Sequence, residues 1–134
     1  MKAIYLVAWL PLLAACAGTP EVPSDVQAVR DYVDVGELEQ TDRIRTHGSD
    51  DWSPLTNHYV LYKGRDGRYL LEFNRKCHEL SDNTRITPDR RYDHNVMRRG
   101  IDTLRGCRID NMYPLTQAQA LEIEALVKTA DGGN

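Results

Sequence analysis

The placement of three cysteines, Cys16, Cys77 and Cys107, constrains this 134-residue chain more than any other feature. Cys16 closes an N-terminal segment unlike the rest: Met1-Lys2, an apolar run from Ala3 to Leu13, then Ala14-Ala15. A short positive start, an apolar core of about 7–15 residues and small residues at a cleavage point describe a secretory leader. The run is too short to span a bilayer, which takes roughly 20 apolar residues, and Pro11 interrupts it. Residues 1–15 are therefore set aside as a signal peptide. The remainder is expected in an exported, oxidising setting.

Leu13-Ala14-Ala15-Cys16 resembles the bacterial lipobox. The resemblance implies that the Cys16 thiol is diacylated, that the leader is cut just before it, and that the new N-terminus is acylated as well. Each buried CH₂ contributes about 0.8 kcal/mol, so two or more chains hold a protein stably at a membrane. Ala17 follows where an Asp would favour the inner membrane in enteric-type sorting. The expected location is thus the outer membrane, facing the periplasm. The competing reading is an ordinary secretory leader with an incidental cysteine.

With Cys16 lipidated, Cys77 and Cys107 form an even pair, which in an exported domain reads as a disulfide. A closed loop of about 31 residues stabilises a fold by about 3–4 kcal/mol in the chain-entropy picture. The spacing is not the C-x-x-C of redox catalysts, so a structural bond is expected.

The mature chain, residues 16–134, has one domain's length. Residues 16–24 hold small residues and two prolines and read as a tether; residues 25–130 read as a single domain. Without Lys2 the chain carries 16 basic and 20 acidic side chains, a net charge of −4. The distribution is uneven: −6 over residues 16–57, +5 over 58–108 and −3 over 109–134. Such an arrangement points first to internal pairing and second to an anion-binding face. Nucleic acid is not an expected partner of an exported, acidic chain.

Ser24-Asp-Val-Gln27 has the spacing of a capping box, and Val26, Val29 and Val33 follow on one helical face until Gly36. Residues 38–46 suggest a strand, and residues 47–57 a loop. His58–Tyr62 and Tyr69–Phe73 are rich in aromatic and branched residues and flank Asp66-Gly67, which predicts a β-hairpin with Tyr69, Leu71 and Phe73 on one face. Beyond it, short strands are expected around Thr84–Thr87 and Ile101–Leu104. A further strand over Cys107–Tyr113 is expected to end at Pro114. Thr116-Gln-Ala-Gln119 is a second capping box. It opens a helix whose Ala118, Ala120, Leu121, Ile123, Ala125, Leu126 and Val127 make a broad apolar surface for the sheet. Residues 131–134 look frayed. The expected class is α+β: a small antiparallel sheet with a central β-hairpin, N-terminal and C-terminal helices, and one disulfide.

Arg68-Tyr-Leu-Leu-Glu-Phe-Asn-Arg-Lys-Cys77 and Ile101-Asp-Thr-Leu-Arg-Gly-Cys-Arg-Ile-Asp-Asn-Met-Tyr-Pro-Leu115 resemble a family of small proteobacterial lipoproteins known only as a domain of unknown function. The likeness covers roughly residues 28–127, and its Cys…Cys-Arg-Ile framework is its most specific part. It implies architecture and location; it lends no catalytic residue and no ligand.

The chain offers little that would carry chemistry. His47, His58, His78 and His94 lack any metal-ligand spacing. Asp50, Asp51, Asp89 and Asp93 sit in polar stretches, where a catalytic carboxylate pair would need one member desolvated. Ser24, Ser49, Ser53 and Ser81 have no nucleophile context, and phosphate-loop and dinucleotide patterns are missing. No catalytic residue, cofactor or metal is expected. The basic stretch is the sharpest feature: Arg90, Arg91, Arg98 and Arg99 flank Tyr92, and guanidinium forks suit phosphates and carboxylates. Pairing of these arginines with Asp89, Asp93, Asp102 and the acidic N-terminal part is the simpler expectation. The sequence thus favours a lipid-anchored binding or accessory domain whose partner is the membrane and an envelope protein or anionic polymer. An anion-binding module and a small envelope hydrolase are the alternatives. Oligomeric state is not legible.

Overall fold

The computed structural model describes residue 18 and residues 21–46, 51–81 and 95–132. The leader, Cys16, His47, Asp50, Arg90, Arg91, His94 and the strand expected at Thr84–Thr87 lie outside the described residues.

The class is α+β, as expected. Helix α1 spans Ser24–Val35 and buries Val26, Val29 and Val33, then stops at Gly36. Its start differs from the expected capping box: Pro23 is the N-cap, and no side chain caps the helix. The proline ring presets an extended-to-helical junction, so the helix begins one residue earlier and Ser24 is already inside it.

The central sheet runs in the order β2 (Asp51–Pro54), β3 (Tyr59–Lys63), β4 (Arg68–Phe73), β7 (Cys107–Leu115), β6 (Thr103–Leu104). Its neighbours pair antiparallel throughout. The expected hairpin is β3–β4, with Lys63 facing Arg68 across the four-residue loop Gly64–Gly67. Two departures from expectation concern β2 and Pro114. The segment expected as loop contains β2, which pairs Trp52 with Tyr62 at the edge of the sheet. Pro114 does not end β7 but sits within it, opposite Tyr69. There β4 is the neighbour on one flank while β6 reaches only Arg108, so the missing N–H interrupts no described ladder on the other flank.

A second, two-stranded ribbon pairs β1 (Arg43–Arg45) with β5 (Val96–Arg98). Its loop contacts explain Gly64: a Cβ there would lie 2.9 Å from the Arg45 carbonyl, which accepts the Arg65 amide at 2.9 Å. Helix α2, Gln117–Asp131, opens with the expected capping box: Thr116 Oγ1 accepts from the Gln119 amide at 3.2 Å, and Gln119 Oε1 accepts from the Thr116 amide at 2.8 Å.

Each sheet face is covered by a different layer. On one, Tyr59, Leu61, Leu70, Tyr113 and Leu115 pack under α1 and α2. On the other, Val60, Tyr62, Leu71, Phe73, Ile109 and Met112 pack against Ile44 and Met97 of the ribbon, Leu80 of a 3-10 turn, Leu104 and the two cysteines. Tyr69 packs here too, so the predicted face of Tyr69, Leu71 and Phe73 is realised. Burial on both sides makes β3 read as a continuous apolar run rather than an alternation. The apolar surface of α2 is narrower than expected. Ala120 and Ile123 are buried, while Leu121 and Leu126 are exposed, because α1 and the sheet meet only one stripe of the helix.

Candidate functional site

Cys77 and Cys107 form the expected disulfide, with Cα atoms 6.0 Å apart and both residues fully buried. Cys77 follows β4, and Cys107 opens β7 from a tight turn in which Arg105 and Gly106 both take positive φ, 50° and 76°. Only glycine adopts such angles without cost, so Gly106 aims the strand and its cysteine. Glu79, in the 3-10 turn, lies 3.4 Å from both sulfurs through Oε2. A disulfide sulfur has no hydrogen to donate, so this is a carboxylate held against the bond. Arg75 also contacts Glu79, at 3.2 Å. The carboxyl is held below its usual range by a backbone hydrogen bond and by Arg75. Cys77, Glu79 and Cys107 are the one grouping of three metal-ligand types among the described residues, and two of them are bonded to each other.

The most connected polar cluster lies on the helix-covered face. Tyr59, Glu72 and Asn111 stand opposite one another on β3, β4 and β7. The Glu72 carboxylate accepts from the Tyr59 hydroxyl at 2.9 Å, the Asn111 amide at 2.8 Å and the Tyr113 hydroxyl at 3.2 Å. A bulge sits beside it: Glu72 faces Asn111 and Phe73 faces Ile109, which leaves Asp110 as the extra residue. The bulge turns Ile109 and Met112 to one face and frees Asn111 and Tyr113 for the other. Burial, reinforced by Glu72, pushes the Tyr113 hydroxyl up to about 12 and Tyr59 higher still. Sequence reasoning missed this ladder. Its one signal was Glu72 itself, a carboxylate on the same strand face as Leu70.

The ladder continues to the basic segment. Arg99 donates to Asp42 at 2.9 Å through Nε, to Gln40 at 2.7 Å and to Asn111 at 3.5 Å through Nη1, with Nη2 2.8 Å from Asp42. Arg99 thus pairs with the acidic N-terminal part, as the simpler expectation had it. Asp102 is buried and accepts the Arg98 backbone amide at 2.7 Å, closing the turn between β5 and β6. Arg98, Arg99 and Arg43 line one shallow recess together with Asp42 and Asp110. The structure therefore brings two of the four candidate arginines together, beside carboxylates. His58 directly precedes β3 and His78 opens the 3-10 turn; the structure does not assemble them into a ligand set.

A separate cleft of about 280 Å³ opens between the β2–β3–β4 edge of the sheet and α2, lined by Ser53, Leu61, Lys63, Arg68, Ala120 and Glu124; Trp52 and Tyr62 border it from strands whose side chains there pack on the opposite face. Among the described residues, no helix is long and apolar enough to cross a membrane.

No curated protein and no solved structure matches the chain. A family model does, over residues 1–131, and it is described as a family of unknown function (DUF6491). The match extends beyond the segments that carried the sequence resemblance, at both ends, and takes in the whole two-cysteine framework. The chain belongs to this family of unknown function.

Proposed function

We propose that the mature chain is a lipid-anchored protein of the bacterial envelope. Cys16 holds it at the periplasmic side of the outer membrane, where it presents a non-enzymatic binding or accessory domain. The observation that carries this reading is the Cys77–Cys107 disulfide. It occupies two of three cysteines in a fold that needs an oxidising compartment, and it leaves Cys16 as the odd thiol beside an export leader. The family match begins within that leader, which supports treating the leader as part of what members share. The accessory role is supported by how the polar groups are spent. Glu72, Asn111, Arg99 and Asp42 are bonded to one another, and the pair Arg99 and Asp42 that borders a recess is already spent on itself.

The test is Cys16→Ser. Wild-type chain expressed in a bacterium incorporates labelled palmitate and sediments with membranes, and the variant does neither. Labelling that persists in the variant would remove the anchor from this reading.

A further inference from the structure

Lys63 and Arg68 are register partners, closing the β3–β4 hairpin side by side. Like charges directly opposite one another across an antiparallel pair are destabilising. Lys63 has Asp51 as its register partner on β2, but neither cation has an ion pair among the described residues. Strand alternation places both on the helix-covered face, two residues from Leu61 and Leu70 respectively. There they line the cleft against α2, with the Ser53 hydroxyl on the neighbouring strand and Leu61 and Ala120 as an apolar wall. Among the described lining residues, Lys63 and Arg68 are the cations and Glu124 the carboxylate.

We propose that this cleft binds an oxyanion group, a carboxylate or a phosphate, carried by a small organic ligand or by the exposed end of an envelope polymer. The Arg68 fork and the Lys63 ammonium supply the charge-assisted donors, and Ser53 supplies a neutral one. A bound oxyanion relieves the opposed cations, neither of which has an ion pair among the described residues. Arg98 and Arg99 do not line this cleft, and the site rests on its own geometry, so its failure leaves the Cys16 anchor untouched.

Isothermal titration calorimetry of the full-length chain, kept in nonionic detergent, reads binding directly. Titration with N-acetylmuramic acid and with glucose 1-phosphate separates carboxylate from phosphate, and neutral N-acetylglucosamine is the control. A saturable change with either acid in the millimolar range, absent with the neutral sugar, is the expected result. Lys63→Gln with Arg68→Gln weakens it about tenfold or more, while Arg65→Gln, in the loop outside the cleft, leaves it unchanged. The double variant keeps its melting temperature or gains, because it removes a repulsion. No saturation with either acid, or equal binding by the double variant, overturns the site.

Discussion

Glu72 and Asn111 face each other across β4 and β7, and the Asn111 amide donates to the Glu72 carboxylate at 2.8 Å. The same carboxylate takes the hydroxyls of Tyr59 and Tyr113, which are almost wholly buried. Glu72→Ala strands three donors, two of them out of water. Buried donors left unmade cost about 1–3 kcal/mol each, and network members are not additive, so the variant should lose about 2–4 kcal/mol. Urea unfolding followed by far-UV circular dichroism measures it. Tyr113→Phe should lose less, about 1 kcal/mol, because its bond is the longest of the three and the carboxylate keeps two partners.

The same tyrosines set an alkaline limit. Burial, with Glu122 adding to it, raises Tyr32 to about 12, and burial with Glu72 raises Tyr113 to about 12 and Tyr59 further. A hydroxyl whose pKa is higher in the fold than in the unfolded chain holds its proton more tightly when folded. Its contribution is full below the unfolded pKa near 10 and is lost as pH rises toward the folded value. Stability should therefore be flat from neutrality to about pH 9 and fall steeply between about pH 10 and 12. Thermal melts across that range, with tyrosinate absorbance rising late and together with unfolding, are the check. A smooth tyrosinate titration centred near 10, without loss of structure, would contradict the burial of these hydroxyls.

Glu79 lies against the disulfide. Thiol–disulfide exchange needs a thiolate to approach sulfur and another to leave, and both meet the carboxylate 3.4 Å from each sulfur. Because its carboxyl is held below its usual range, Glu79 is ionised at neutral pH. Glu79→Gln should speed reduction by dithiothreitol severalfold, on the order of five, and the difference should shrink in high salt. Alkylation and mass analysis of timed aliquots give the rate. Before reductant is added, neither Cys77 nor Cys107 should be alkylated. Replacing both by Ser should remove about 3–4 kcal/mol, the loop-closure contribution of a bond spanning 30 positions.

The legible parts of this fold were those with short-range causes. The β3–β4 hairpin follows from two branched and aromatic runs around a glycine-bearing loop, and α2 begins where Thr116 and Gln119 can cap each other. The disulfide was legible from count and compartment. What escaped depends on partners distant in sequence. Asp51–Pro54 has no strand pattern of its own and becomes β2 because β3 offers a free edge. The strand expected within residues 38–46 is β1, but its partner, Val96–Arg98, lies more than fifty residues on. The Glu72 ladder needed the Asp110 bulge to bring Asn111 and Tyr113 onto its face, and no spacing rule marks such a bulge. The Lys63–Arg68 opposition needed the hairpin register, which loop length alone left open.

The two helix starts make the distinction measurable. Both sequences carry capping-box spacing, Ser24 to Gln27 and Thr116 to Gln119. Only the second is built: Thr116 accepts the Gln119 amide, whereas Ser24 lies inside α1 and its hydroxyl reaches the Ala130 carbonyl at 3.5 Å. A Ser or Thr cap replaced by Ala costs about 1 kcal/mol. Thr116→Ala should therefore lower the unfolding free energy by about that amount, with Gln119→Ala costing less because the Thr116 hydroxyl still serves the helix amide. Ser24→Ala should stay within about 0.5 kcal/mol of wild type, since it removes one long bond and improves helix propensity at an interior position. Urea midpoints at constant slope compare the three. Equal losses for Thr116→Ala and Ser24→Ala would mean that Ser24, not Pro23, caps α1 in solution, and would move the start of the domain by one residue.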